Sequence, residues 1–270
     1  MPTIRTLTEI WKYPIKSLPG IRLTKGTVLE KGLQGDRRMM LIDENNRFIS
    51  QREYPQLALF NVTESNNSID VTARFNETEV LSINPETRED LPIKSIIWDD
   101  SVDAVELKRE YSQWFSEALK INCRLVYFPE ENKRLVDKNY VKNEFHVSLA
   151  DGYPYLIIGT SSLQDLSKRV GEELSMRRFR PNFVFSGGEA YEEDAWTDFK
   201  IGNVLFRGVK PCGRCPIPTI NPETGIKGVE PLRTLATYRK KNNNVYFGQN
   251  VIAMNNGQIS EGDIIEIENF

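Results

Sequence analysis

The sequence predicts a mainly β fold with some α-helix, of the α+β class. Short apolar runs bounded by Gly, Asn or charged residues recur along the 270 residues, and few helical patterns separate them. Such weak helix content argues against a doubly wound parallel sheet. The alternating run GDIIEIE near the end of the sequence is typical of a strand that closes a sheet or barrel. We therefore expect a barrel more than a sandwich.

The elements are expected in a definite order. Residues 37–53 predict a hairpin across DENN, and residues 58–75 predict a second hairpin. A helix is expected in residues 109–122, whose apolar side chains share one stripe, and another from residue 160, capped by Ser161 or Ser162. Later strands are expected at YLIIG, FVFSG, FKIGNVLFRGV, NVIAMNN and DIIEIENF.

The stretch between Phe128 and Lys142 shows few clear elements, so we expect a domain boundary or a long connection there. This boundary divides the chain into residues 1–128 and 129–270. Both parts are expected to be β-rich, with an N-terminal β-barrel-like domain followed by a second β-barrel domain.

Composition excludes several classes of function. A net charge of -3 gives no electrostatic case for non-specific nucleic-acid binding. No run approaches the roughly 18 apolar residues of a membrane span, and the first residues lack the apolar region of a secretory signal. Three cysteines make no disulfide framework, which indicates a reducing cytoplasm. The sequence contains one histidine, His146, which excludes mechanisms that need two histidines.

Cys212 and Cys215 form a C-x-x-C pair that permits several interpretations. A thioredoxin-like redox pair needs a helix behind it, which Pro216 and Pro218 disfavour. A zinc site would need Cys123 and His146 as well. A single thiolate could bind a soft metal such as molybdenum or copper, favoured by neighbouring cations. The simplest alternative is that both cysteines are small buried hydrophobic residues.

Several motifs occur in one order along the chain. They are FRPN at 179–182, AYEEDAW at 190–196, IGNVLF at 201–206, Arg214–Cys215, TINPETG at 219–225, EPLRTLATYR at 230–239 and FGQN at 247–250. Together they resemble the MOSC domain. Four upstream motifs resemble the β-barrel domain that precedes it: IWKYPIKSLPGI at 10–21, GLQGDRRMMLID at 32–43, SQRE at 50–53 and ADGYP at 150–154.

The resemblance is to the mitochondrial amidoxime-reducing components and their bacterial homologues. It implies a molybdenum-pyranopterin cofactor whose metal is bound by Cys215, with a secondary or structural role for Cys212. It further implies a set of cofactor-binding residues: Lys16, Ser17, Arg37, Ser161, Ser162, Arg180, Asn182 and Arg214. A helix beginning at Ser161 and Ser162 would itself be a suitable anion site.

The implied reaction is the two-electron reduction of the N–O bond in N-hydroxylated compounds. Electrons would come from a separate iron–sulfur protein or flavoprotein, and Lys240 and Lys241 are candidates for docking an acidic donor. Two alternatives remain open, a sulfur carrier in molybdenum cofactor sulfuration and a non-catalytic cofactor-binding protein.

Overall fold

The computed structural model describes residues 4–65, 68–75, 79–141 and 143–268. One helix, α1 (Arg109–Leu119), follows most of the strands in the first half of the chain. The strands of this half are β1 (Arg5–Lys12), β2 (Ile21–Leu23), β3 (Lys25–Leu29), β4 (Gly32–Leu33), β5 (Met39–Ile42), β6 (Phe60–Ser65), β7 (Ser68–Ala73), β8 (Leu81–Ile83), β9 (Arg88–Ile97), β10 (Asp100–Leu107) and β11 (Arg124–Tyr127).

The second half contains α2 (Thr160–Val170) and α3 (Leu232–Tyr238). Its strands are β12 (Tyr155–Gly159), β13 (Phe183–Ser186), β14 (Asp198–Ile201), β15 (Val204–Gly213), β16 (Lys240–Lys241), β17 (Asn244–Ala253), β18 (Gly257–Ser260) and β19 (Ile264–Glu268). No helix among the described residues is long and apolar enough to cross a membrane.

The main structure is a closed seven-stranded barrel, which confirms the predicted fold class. Its strands follow the order β12-β13-β1-β19-β14-β15-β17, and pairing of β12 with β17 closes the ring. Only β12 and β13 run parallel. Along each strand, side chains point alternately into and out of the barrel, so large apolar side chains such as Leu7, Phe183 and Phe206 share one core.

The first strand belongs to this barrel although it comes from the opposite end of the chain. β1 pairs antiparallel with β13 and with β19. A small sheet of β18, β3 and β4 likewise joins residues from both ends of the sequence. The domain boundary after residue 128 stays a prediction, and strands from both sides of it are hydrogen-bonded to one another.

The rest of the first half forms two smaller antiparallel sheets. One has the order β5-β11-β10-β9, and the other is β6-β7-β8, packed with α1 around a second core. The predicted hairpin at residues 58–75 is β6–β7, and its turn residues 66 and 67 lie outside the described residues. The hairpin at residues 37–53 is shorter than predicted, because its second arm is only a bridge from Ile42 to Phe48.

The helices differ from prediction mainly at their ends. Gly159 is the N-cap of α2, so the predicted caps Ser161 and Ser162 lie within the first turn. This helix stops at Val170, because Gly171 adopts a left-handed conformation (φ 86) that ends it. Helix α3 was not predicted from the sequence.

Candidate active site

A cavity of about 320 Å³ opens between one end of the barrel and the sheet of β5, β9, β10 and β11. Its volume is within the range of small-molecule sites. The loop after β1, the connection from β4 to β5, the segment before β13 and the end of β15 all reach it. They bring together most of the predicted site residues: Lys16, Ser17, Arg37, Arg180, Asn182, Arg214 and Cys215.

The two neighbouring cysteines both line this cavity but differ in their contacts. Cys212 accepts a hydrogen bond from Arg214 Nη1 at 3.2 Å and packs partly against the apolar cluster around Phe179. The Cys215 side chain is half-buried, and no group among the described residues hydrogen-bonds to its sulfur. Of these two sulfurs, only that of Cys215 lacks a hydrogen-bond partner among the described residues.

The other interpretations of the C-x-x-C pair find little support. Both cysteines are free thiols, and behind them lies the short 3₁₀ turn Ile217–Thr219 instead of an α-helix. The remaining candidate zinc ligands are elsewhere, since Cys123 is buried beside Ser116 and His146 contacts Glu30 at 2.7 Å. Within the part of the chain that the structure describes, no three Cys, His, Asp or Glu side chains converge on a metal position.

Three cavity residues other than glycine have left-handed backbone conformations. The φ angles are 71° at Ser17, 49° at Arg37 and 56° at Arg180. Each such residue costs about 1–2 kcal/mol, so surrounding contacts must hold it in place. The carbonyl of Ser17, for example, accepts a 2.6 Å hydrogen bond from buried Gln51. Strain of this kind is concentrated at functional sites.

Arg37 and Arg180 form a fixed pair of cations against one tyrosine. Both guanidinium carbons lie 4.4 Å from the centre of the Tyr13 ring. Arg37 pairs with buried Asp36 and donates to Asn182 Oδ1 at 3.2 Å. Burial lowers the pKa of Arg180 to about 10, which leaves its guanidinium protonated at neutral pH. The cavity therefore contains permanent positive charge.

Lys16 and Asp151 form a second fixed charge pair. Lys16 Nζ is 2.5 Å from Asp151 Oδ1 and 2.8 Å from the carbonyl of Leu149. Burial lowers the pKa of Lys16, while the charge of Asp151 opposes that shift. The Asp151 side chain is 58% exposed, so the burial that would raise the pKa of Asp151 is partial. The charge and hydrogen bond of Lys16 outweigh it and hold this pKa well below its usual range. Asp151 is therefore an anion at neutral pH.

Two buried arginine nitrogens at the cavity have no hydrogen-bond partner in the described structure. They are the Nε atoms of Arg52 and Arg214. Arg52 stacks on Trp98, with 4.1 Å from its guanidinium carbon to the ring centre, and Arg214 Nη2 donates to the carbonyl of Phe179 at 2.7 Å. Buried donors of this kind require an explanation, such as a bound ligand. With the thiol of Cys215, these residues suit an anionic group that carries a thiolate-binding metal.

The structure does not bring Ser161 and Ser162 to this cavity. Ser161 Oγ donates to the carbonyl of Gly188, and buried Ser162 donates to Glu193. Glu193 also accepts from the backbone N–H of Gly159 at 3.2 Å, so the protein's own carboxylate lies at the N-terminus of α2. The side chain of Glu193 therefore lies where the sequence analysis expects a bound anion.

Several residues that line the cavity were not predicted from the sequence. Arg52, Asp151 and Asn250 lie inside the motifs SQRE, ADGYP and FGQN, so the resemblance could have identified them. Phe48 and Trp98 carry no such signal, because they reach the cavity only through the folding of the first-half sheet.

Comparison with known proteins supports the resemblance. The model of the MOSC N-terminal beta barrel domain matches residues 4–122, and that of the MOSC domain matches residues 144–266. The chain is 30% identical over 279 residues to mitochondrial amidoxime-reducing component 1 of Mus musculus, covering 96% of this chain and 81% of that protein. It is 34% identical over 253 residues to mitochondrial amidoxime reducing component 2 of Rattus norvegicus, and the match covers 87% of this chain and 73% of that protein.

A further relative is the molybdenum cofactor sulfurase of Arabidopsis thaliana, 30% identical over 273 residues, which cover 90% of this chain and 32% of the sulfurase. Both domain types occur here in one chain, and the match to the amidoxime-reducing components extends over most of their length. The chain belongs to the family of MOSC-domain proteins that includes the mitochondrial amidoxime-reducing components.

Proposed function

We propose that this chain is a molybdenum-cofactor-dependent oxidoreductase that reduces N-hydroxylated compounds. The observation that carries the proposal is the convergence of Cys215 with Lys16 and several arginines on one cavity. The names of the mouse and rat relatives supply the reaction class. In this reaction the N–O bond breaks, two electrons and two protons are consumed, and the oxygen leaves as water.

Cys215 would bind the metal through its thiolate, and the cationic residues would hold the anionic part of the cofactor. Arg37, Arg180 and Arg214 offer planar donor groups that suit phosphate, and Lys16, Ser17 and Asn182 add further donors. When bound, the molybdenum cofactor supplies the two-electron chemistry, while the protein supplies binding, orientation and electrostatics. The ionised Asp151 accepts hydrogen bonds and is not the proton donor.

The two cysteines provide a matched test of this assignment. The protein is produced in a host that makes the cofactor, and molybdenum content, pterin fluorescence and amidoxime turnover with reduced methyl viologen are measured. We expect Cys215→Ala to lose molybdenum and activity and Cys212→Ala to keep most of both. Full molybdenum content and full turnover in Cys215→Ala would show that the ligand assignment is wrong.

A second candidate function is sulfur handling, which the Arabidopsis sulfurase relative favours. Cys215 would then carry a persulfide instead of binding metal. Cyanide treatment releases thiocyanate from a persulfide, so thiocyanate from the wild type but not from Cys215→Ala, without bound molybdenum, would support this function. Molybdenum retention without any turnover would instead indicate a cofactor carrier.

The electron donor is proposed to be a separate iron–sulfur protein or flavoprotein. The cytoplasmic location stays a prediction as well, and the mammalian relatives are named mitochondrial.

A further inference from the structure

Trp98 occupies a position in a tight turn that local chemistry does not favour. It is the first of two residues between β9 and β10, whose strands pair Ile97 with Asp100. Its φ of 54° is left-handed, a conformation that glycine adopts freely and a bulky side chain does not. The reason for tryptophan here must therefore be sought in what the side chain contacts.

The indole of Trp98 is held against the cavity by contacts on several sides. The Phe48 ring packs edge-on with centroids 4.6 Å apart, and the guanidinium of Arg52 stacks at 4.1 Å. The indole Nε1 donates to Asp151 Oδ1 at 3.3 Å. Trp98 and Arg52 thus present flat groups in the wall that the first-half sheet contributes to the cavity.

Asp151 places one negative charge beside this flat wall. Its Oδ1 accepts from Lys16 and from Trp98, while no group among the described residues donates to its Oδ2. Among the described residues that line the cavity, it is the only acidic one. The free oxygen can accept a hydrogen bond from the N–H of a ligand that lies against the indole.

We propose that Trp98 and Asp151 form a selective rim that favours planar, conjugated N-hydroxylated substrates carrying an N–H donor over aliphatic ones. This inference depends on the proposed function for the nature of the substrate. A flat ligand gains stacking on Trp98 and Arg52, and its N–H group pairs with Asp151. An aliphatic substrate keeps the hydrogen bond but loses the stacking.

The test compares benzamidoxime with acetamidoxime on the molybdenum-loaded full chain. Dissociation constants are measured by titration calorimetry, and KM and kcat with reduced methyl viologen. Trp98→Gly removes the ring at a turn position that accepts glycine, Trp98→Phe keeps a flat ring, and Asp99→Asn changes the exposed neighbouring turn residue as a control.

We expect Trp98→Gly to raise the dissociation constant and the KM for benzamidoxime by roughly threefold to tenfold, the size of a stacking contribution. Binding of acetamidoxime, its kcat and the molybdenum content should stay within about twofold of the wild type. Trp98→Phe should restore most of the preference, and Asp99→Asn should keep all of it. Asp151→Asn should weaken binding of both amidoximes.

Three results would overturn the proposal of a selective rim. They are an unchanged preference in Trp98→Gly, equal weakening of the binding of both amidoximes, and no binding of either amidoxime by the wild type. Failure of the proposed function appears differently. The wild type would then bind benzamidoxime without reducing it, and the dissociation constants would still decide the role of Trp98.

Discussion

Glu193 shows how one buried carboxyl makes stability depend on pH. It is fully buried and accepts hydrogen bonds from Ser162 and from the backbone of Gly159. Burial raises its pKa to about 7, and the hydrogen bonds, which lower it, only partly oppose this effect. Because the folded pKa lies above the unfolded one, the stabilising contribution is complete below about pH 4.5 and is lost as pH rises through 7.

Glu193→Gln should remove this pH dependence. We compare the free energy of unfolding of the variant with that of the wild type. The difference, variant minus wild type, is expected to be larger at pH 8 than at pH 5 by up to about 3 kcal/mol, because each unit of pKa shift is worth about 1.4 kcal/mol. Urea unfolding at both pH values measures this difference, and Glu189→Gln, at an exposed position, is the control. A constant difference between variant and wild type would contradict the raised pKa.

At the scale of single residues, motif order predicted seven residues that the structure brings to one cavity, but not the whole wall of that cavity. Cys215, Arg37 and Arg180 were predicted by resemblance and all line the cavity. The resemblance also implied Ser161 and Ser162, and their place at a helix start supported them, but the sequence does not show that distant Glu193 occupies that end. Trp98 could not be predicted, because its role depends on contacts with Phe48, Arg52 and Asp151, which are distant in sequence.

Among the elements, the β16–β17 hairpin connects an exposed basic tip to the cavity wall. Asn242 and Asn243 both have left-handed backbones, as a two-residue type I′ turn requires. Exposed Lys240 and Lys241 precede this turn, and β17 continues to Asn250, which lines the cavity. We therefore predict that an acidic electron donor docks at this tip.

Reversing both charges, Lys240→Glu with Lys241→Glu, should slow electron transfer from an acidic protein donor several-fold at low salt. The effect should shrink as salt rises, since screening weakens attraction between exposed charges. Turnover with reduced methyl viologen should not change, which controls for damage to the site. Electron-transfer rates are measured by stopped flow. If these rates depend on salt equally in the variant and the wild type, this docking surface is excluded.

Elements with strong local patterns were predicted well, and those that depend on tertiary contacts were not. The amphipathic stripe of α1 and the apolar run of β12 are visible in sequence, and both form as expected. The short α3 has Pro231 as its N-cap, and Glu230 Oε2 accepts a hydrogen bond from the backbone N–H of Thr234 in its first turn at 3.1 Å. The helix packs through Leu235 into a core built from distant segments. Local sequence contains little information about such a helix.

For the whole molecule, the position of β1 determines which fragments can fold. A fragment of residues 129–270 would lack one strand of the seven, leaving the edges of β13 and β19 unpaired. We expect it to aggregate or to show no cooperative unfolding by circular dichroism. The same fragment with residues 4–35 joined through a flexible linker should recover a cooperative transition. Cooperative unfolding of the bare fragment would contradict this expectation.

The pairing of Arg5 with Ile265 also has a consequence during synthesis. A nascent chain releases its first strand from the ribosome early, and that strand must wait until residue 265 has emerged before both of its neighbours are present. The pocket at the end of the barrel is therefore completed only after nearly all of these residues have been translated. Any prosthetic group that needs the finished pocket must enter after residue 265 has left the ribosome.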